Sequence, residues 1–214
     1  MAKTEPFDKY LNDYEEWFYQ HRYVYESELK AVSYFIPEGK KGVEIGTGSG
    51  RFSIPFGIKD GVEPSRMMCR FAGFLGLNMI NGTAEDIPLP DESYDFVLMV
   101  TTICFVDDPR LAFREVNRIL KPGGIFIVGL VDKDSPLGRT YQQIKNENKF
   151  YCEATFYSTI EVLEMLDENG FTGTEIIQTV FGNLEDIKNV QMFKPGYGEG
   201  GFVVIKSSRK ASPK

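Results

Sequence analysis

Short apolar runs recur along the chain with longer mixed segments between them. "GVEIG", "IKDGVEPS", "NMING", "YDFVLMVTT" and "GIFIVGLV" are each too short for a helix and rich in β-branched or aromatic residues, so they predict strands. The intervening segments carry helix punctuation. In "DDPRLAFREVNRILKPGG", Asp108 suits an N-cap, Pro109 the first helical position and Gly123 a site just past the end. In "STIEVLEMLDENGF", Ser158 and Glu161 have capping-box spacing and Gly170 closes the helix. Strands alternating with helices predict an α/β fold with a parallel sheet and crossover helices. Two more strand candidates, "GTEIIQTVF" and "GFVVIK", follow near the C-terminus. Ahead of the alternation stands "YLNDYEEWFYQHRYVYESELKAVSYFIP". Its Leu29, Val32, Phe35 and Ile36 recur at helical spacing until Pro37, which predicts one or two helices.

Composition narrows the function classes. A chain of 214 residues with 42% hydrophobic content predicts one domain with a sizeable core. Thirty-one acidic residues against 24 basic ones give a net charge of −7 and no general attraction to a phosphate backbone, so nucleic acid is not an expected partner. Cys69, Cys104 and Cys152 stand singly and His21 is the lone histidine, a set that predicts neither a metal site nor a disulfide framework. No N-terminal stretch has a signal-peptide core and no window reaches the roughly 20 apolar residues of a membrane span. The expectation is a reduced, cytoplasmic protein without a membrane partner.

The chemistry begins at "KKGVEIGTGSGRF", where a predicted strand runs into Gly46, Gly48 and Gly50. Glycine tolerates positive φ and has no Cβ, so such a strand can turn sharply and let a ligand lie against bare backbone at the mouth of the next helix. In an open α/β sheet that place is the carboxyl edge, where strand order reverses. Glu63 ends the next predicted strand, placed to accept hydrogen bonds from both hydroxyls of a ribose. The ligand is then a nucleoside derivative. A dinucleotide wants G-x-G-x-x-G, and here the third glycine comes one position early, with the bulky Arg51 in its place. S-adenosylmethionine has no phosphate to seat, and Glu44 could face its ammonium.

These residues resemble the class I S-adenosylmethionine-dependent methyltransferases, in particular the type 11 small-molecule subgroup. "VEIGTGSGRF" is similar to the family's first motif, "GVEPS" to its second, "NGTAEDIPLPDESYDFVLMVTT" to the third and fourth, and "REVNRILKPGGIFIVG" to the helix and strand that follow. The resemblance implies a Rossmann-like, seven-stranded, mostly parallel sheet with an antiparallel last strand, here "GFVVIK", and helices on both faces. It implies that Glu44, Gly46, Thr47, Gly48 and Gly50 line the methionine end of the cofactor, and Glu63 with Pro64 the ribose. The family usually has aspartate followed by alanine at the adenine. Here the pair is Thr83 and Ala84, and the Thr83 hydroxyl, the Ala84 N–H and Glu85 are the candidate contacts. Thr101 would present its backbone to the methionine. The product would be S-adenosylhomocysteine.

Methyl transfer from a sulfonium asks the protein mainly to position the acceptor and exclude water. No catalytic base stands out, and His21 reads as a partly exposed helical histidine. Acceptor recognition is expected from segments outside the shared core: the aromatic N-terminus, with Tyr14 and Trp17, and "DKDSPLGRTYQQIKNENKFYCEATFYS", with Arg139, Tyr141 and Tyr151. The expected organisation is an N-terminal helical lid over residues 1–38, a core over 39–206 and a frayed tail over 207–214. The expected function is methyl transfer to a small molecule; the alternative is a non-catalytic, S-adenosylmethionine-binding regulatory module.

Overall fold

The protein is described here by a computed structural model covering residues 3–211. Three helices come first: α1 (Glu5–Lys9), α2 (Leu11–Gln20) and α3 (Arg22–Ser33). The alternation follows as β1 (Gly42–Ile45), β2 (Asp60–Glu63), α4 (Arg66–Phe74), β3 (Asn78–Asn81), β4 (Tyr94–Val100), α5 (Pro109–Ile119), β5 (Leu120–Val131), α6 (Pro136–Ile144), α7 (Thr159–Glu168), β6 (Phe171–Thr179), β7 (Lys194–Pro195) and β8 (Phe202–Arg209). The sheet order is β3-β2-β1-β4-β5-β8-β6-β7. Strands β1 to β5 pair in parallel, and β8 enters antiparallel between β5 and β6. The sheet therefore has eight strands rather than seven. The extra one is the two-residue edge strand β7, paired with β6 through Ile177 and Gln178 and too short to leave a periodic signature.

Side-chain alternation along β4 shows how the layers form. Val97 and Met99 point into one apolar cluster with Phe113 and Val116 of α5 and Val162 of α7. Phe96, Leu98 and Val100 point into the other, with Val24, Ala31 and Val32 of α3 and Leu137 of α6. Helices thus cover both faces, and the sheet is buried between them.

The helix punctuation holds at the N-termini. The Asp108 carboxylate accepts from the Leu111 N–H at 3.0 Å, and Ser158 and Glu161 make the reciprocal capping box. Gly170 has φ +79° at the close of α7. Gly123 differs from its expected role. Lys121 precedes Pro122, which disfavours helix there, so α5 stops at Ile119 and Gly123 bends the start of β5 at φ +76°. The glycine turn does not open onto a regular helix either. Pro55 and Gly57 interrupt the stretch after it, and the chain reaches β2 through successive turns. The N-terminal region makes three helices, and α3 belongs to the packed layer against β6 and β8. Residues 207–209, expected in the frayed tail, complete β8, with the Arg209 guanidinium donating to the Leu120 carbonyl and the Glu92 carboxylate. Residues 212–214 of that segment lie outside the described residues.

Candidate active site

Strand order reverses beside β1, which has β2 on one side and β4 on the other. A cavity of about 1070 Å³ opens at the carboxyl ends of these strands. Gly46 leaves β1 at φ +71°, and its N–H and that of Thr47 donate to the Val62 carbonyl. A Cβ at Gly46 would come within 2.2 Å of the Thr102 side chain; one at Gly48, φ +55°, would press on the Tyr14 hydroxyl. The turn thus needs glycine for both dihedral and space.

Glu63 is tied into this turn. One carboxylate oxygen accepts the Gly48 N–H at 2.8 Å and the other the Ser65 N–H at 2.9 Å. Of about four lone-pair positions on a carboxylate, two remain for other donors. Burial pushes its pKa up to about 7, against the pull of those two N–H groups. Glu44 lies beneath the turn, and burial pushes it up to about 8. Strand alternation sends the Glu44 side chain to the face opposite Val43 and Ile45, where its carboxylate accepts from the Ser53 hydroxyl.

Gly46, Gly48, Glu63, Pro64, Thr83, Ala84, Glu85 and Thr101 all line the cavity. Glu44, Thr47 and Gly50 do not. Thr47 instead uses its hydroxyl to hold the turn, donating to the Glu44 carbonyl at 2.9 Å. One Glu85 oxygen accepts the N–H groups of Asp107 and Asp108, which fixes the loop entering α5. Thr101 sits at φ +48°, a left-handed conformation uncommon for a β-branched residue, directly after β4.

The cover comes from the ends of the fold. On α1, Asp8 accepts from the Ser65 hydroxyl and the Met67 N–H, so the helix rests on the start of α4. Arg51 pairs with Glu15 of α2 and lies over the Phe18 and Tyr19 rings at 5.0 and 5.2 Å; its carbonyl accepts from Tyr25. The large residue in the place of a third glycine is what ties α2 to the turn. From the other side Phe150 meets Phe7, Tyr10 and Tyr14, with centroids 5.7 to 6.4 Å apart.

Tyr14, Trp17, Tyr141 and Tyr151 line the cavity, as expected of the acceptor segments. Tyr141 and Tyr151 are 5.1 Å apart, and burial drives both hydroxyls to raised pKa. Arg139 departs from expectation: it is exposed, outside the cavity, and its guanidinium donates to the Asp134 carbonyl of its own turn. His21 differs the other way. It lines the cavity, half-buried, with Trp17 5.0 Å from its ring, and burial lowers its pKa. Sequence reasoning missed Phe7, Phe105, Phe150 and Glu28. For Glu28 a signal existed, since it sits in the inward stripe of α3 between Val24 and Ala31. Among the described residues, no group of three His, Cys, Asp or Glu is placed to hold a metal ion, and no helix is long and apolar enough to cross a membrane.

A methyltransferase-domain profile matches residues 43–128, from β1 and the glycine turn into β5. A solved S-adenosylmethionine-dependent methyltransferase of Thermotoga maritima, described as a possible histamine N-methyltransferase, is 49% identical. The match covers 97% of this chain and 100% of that one, with a TM-score of 0.94. The chain belongs to the S-adenosylmethionine-dependent methyltransferases. It is an enzyme of this family, and S-adenosylmethionine is its cofactor. An uncharacterised protein of Methanocaldococcus jannaschii is 43% identical over 95% of the chain and 98% of its own length. A demethylmenaquinone methyltransferase of Staphylococcus aureus is 23% identical over 74% of the chain and 78% of its own length. None of these relatives supports the non-catalytic regulatory alternative.

Proposed function

We propose that this methyltransferase acts on a small-molecule acceptor bound beside Trp17, His21, Tyr141 and Tyr151, with the cofactor held along Gly46, Gly48, Glu63, Pro64, Thr83, Ala84, Glu85 and Thr101. The single observation carrying this reading is one continuous cavity joining the two sets of residues. Single-ligand pockets fill about 300–1,000 Å³, so about 1070 Å³ has room for a cofactor and an acceptor together.

The residues fit the cofactor. Glu63 keeps two free lone-pair positions for a pair of ribose hydroxyls, and the Gly48 and Ser65 amides hold it in place to accept them. Glu44 and Glu63, both buried and without an ion-pair partner among the described residues, favour a ligand that brings positive charge. When bound, S-adenosylmethionine supplies a methyl group activated by its sulfonium. The chain does the rest. The bare backbone of the turn permits close approach, α1, α2 and Phe150 exclude water, and the aromatic wall orients the acceptor. His21, neutral at physiological pH because burial lowers its pKa, stands where it could take a proton from an acceptor that arrives protonated. We place this chemistry in the cytoplasm.

The test is S-adenosylhomocysteine production with amines (histamine among them, from the Thermotoga relative), phenols (from the menaquinone relative), carboxylates and thiols. Turnover above the acceptor-free rate with one class is expected. No turnover with any class would contradict a small-molecule acceptor.

A further inference from the structure

We propose that Glu28 recognises the acceptor and that the acceptor is an organic cation, a protonated amine on an apolar or aromatic body; this rests on the methyltransferase reading above. Glu28 occupies the inward stripe of α3 with Val24, Ala31 and Val32, which are at most 1% exposed, and is itself 7% exposed. The other buried polar residue of α3, Ser27, is satisfied by the Tyr23 carbonyl and the Gln191 N–H, whereas Glu28 lines the cavity. No hydrogen bond or ion pair is made to its carboxylate among the described residues. Its titratable neighbours are Tyr25 of its own helix, Tyr141 of α6 and Tyr151, none of them a cation. Burial alone pushes the carboxyl up to about 8.

Without a partner the carboxyl meets its burial by keeping its proton, and it ionises where a cation is brought beside it. A protonated amine is such a cation, and the rings of Trp17, Tyr141 and Tyr151 offer π faces that attract it. The cavity lining has the same sign. Glu16, Glu147, Glu185 and Asp186 line it, whereas Lys149 is paired with Asp13 and Lys3 with Asp107. A neutral alcohol gives Glu28 no charge to ionise against, and a carboxylate acceptor disfavours its ionisation and forms no ion pair with it.

The experiment is calorimetry on protein saturated with S-adenosylhomocysteine, using matched sets: 2-phenylethylamine, 2-phenylethanol and 3-phenylpropanoate, then the corresponding indole set and a butyl set. At least one amine is expected to bind about tenfold or more tightly than its alcohol, and no acid to bind. Glu28→Gln should abolish that preference while leaving S-adenosylhomocysteine affinity unchanged. Equal binding of amine and alcohol in every set overturns the proposal, as does a Glu28→Gln variant that keeps the preference. The wild-type sets decide even if the variant folds poorly. Failure of S-adenosylhomocysteine itself to bind appears before any acceptor is added, and removes the methyltransferase reading instead.

Discussion

Glu63 serves ligand and fold at once. From sequence it reads as a strand-end carboxylate placed to accept from a ribose. The structure shows it accepting the Gly48 and Ser65 amides. Glu63→Ala should therefore weaken cofactor binding by about ten- to a hundredfold, the loss of charge-assisted hydrogen bonds worth about 1.5–3 kcal/mol. It should also lower the melting temperature, because two amides lose their partner. Glu63→Gln should lose less of both, since its amide oxygen still accepts. Titrations beside a ligand-free melt separate the effects, and unchanged affinity in the alanine variant would deny Glu63 a place in the site. The glycines and Glu63 were legible because a dihedral requirement and a strand-end position both leave a sequence trace. The fate of Glu44 was not, since it depends on Ser53 folding back beneath the turn.

Among elements, those announced by local rules came out best. The capping box of α7 involves only residues three apart, and Ser158→Ala should cost about 1 kcal/mol in a denaturant melt. The missing helix after the glycine turn was equally local, written in Pro55 and Gly57. What the sequence hid was how α1, α2 and the Phe150 loop meet over the cavity, because those contacts join residues more than a hundred positions apart. Trp17 tests this cover. Trp17→Ala should raise the acceptor KM and reduce turnover while leaving S-adenosylhomocysteine affinity within about twofold, because its ring packs on Phe18 and His21 at the acceptor side. Parallel loss of both functions with a large fall in melting temperature would make Trp17 a packing residue only.

Taken as a whole, the molecule buries carboxyls beneath and beside an open cavity, and that sets its response to pH. Burial raises Glu28 and Glu44 to about 8 and Glu63 to about 7, from an ordinary value of 4.5. Between those values the folded state holds more protons than the unfolded one, so stability falls as pH rises. Asp95, held low by Lys121, and Glu115, held low by Arg118, act oppositely: their contribution is lost as pH drops below the ordinary carboxylate range. His21, lowered by burial, also loses stability toward acid, one group against three. The ligand-free melting temperature should peak at about pH 5 and decline toward pH 8 and toward pH 3. A flat profile from pH 5 to 8 would mean the three carboxyls are solvated. Seven of the eight strands were legible, β1, β4 and β5 most plainly, because strands buried on both faces of the sheet require near-continuous apolar runs; β7, two residues on an edge, carries no such requirement. The account as a whole stands on one cavity built for an adenosyl cofactor. Calorimetric titration of the purified protein with S-adenosylhomocysteine, and in parallel with NADH, tests that directly. One saturable site for S-adenosylhomocysteine and no saturable heat with NADH is the predicted result; tight NADH binding with none for the adenosyl compound would contradict it.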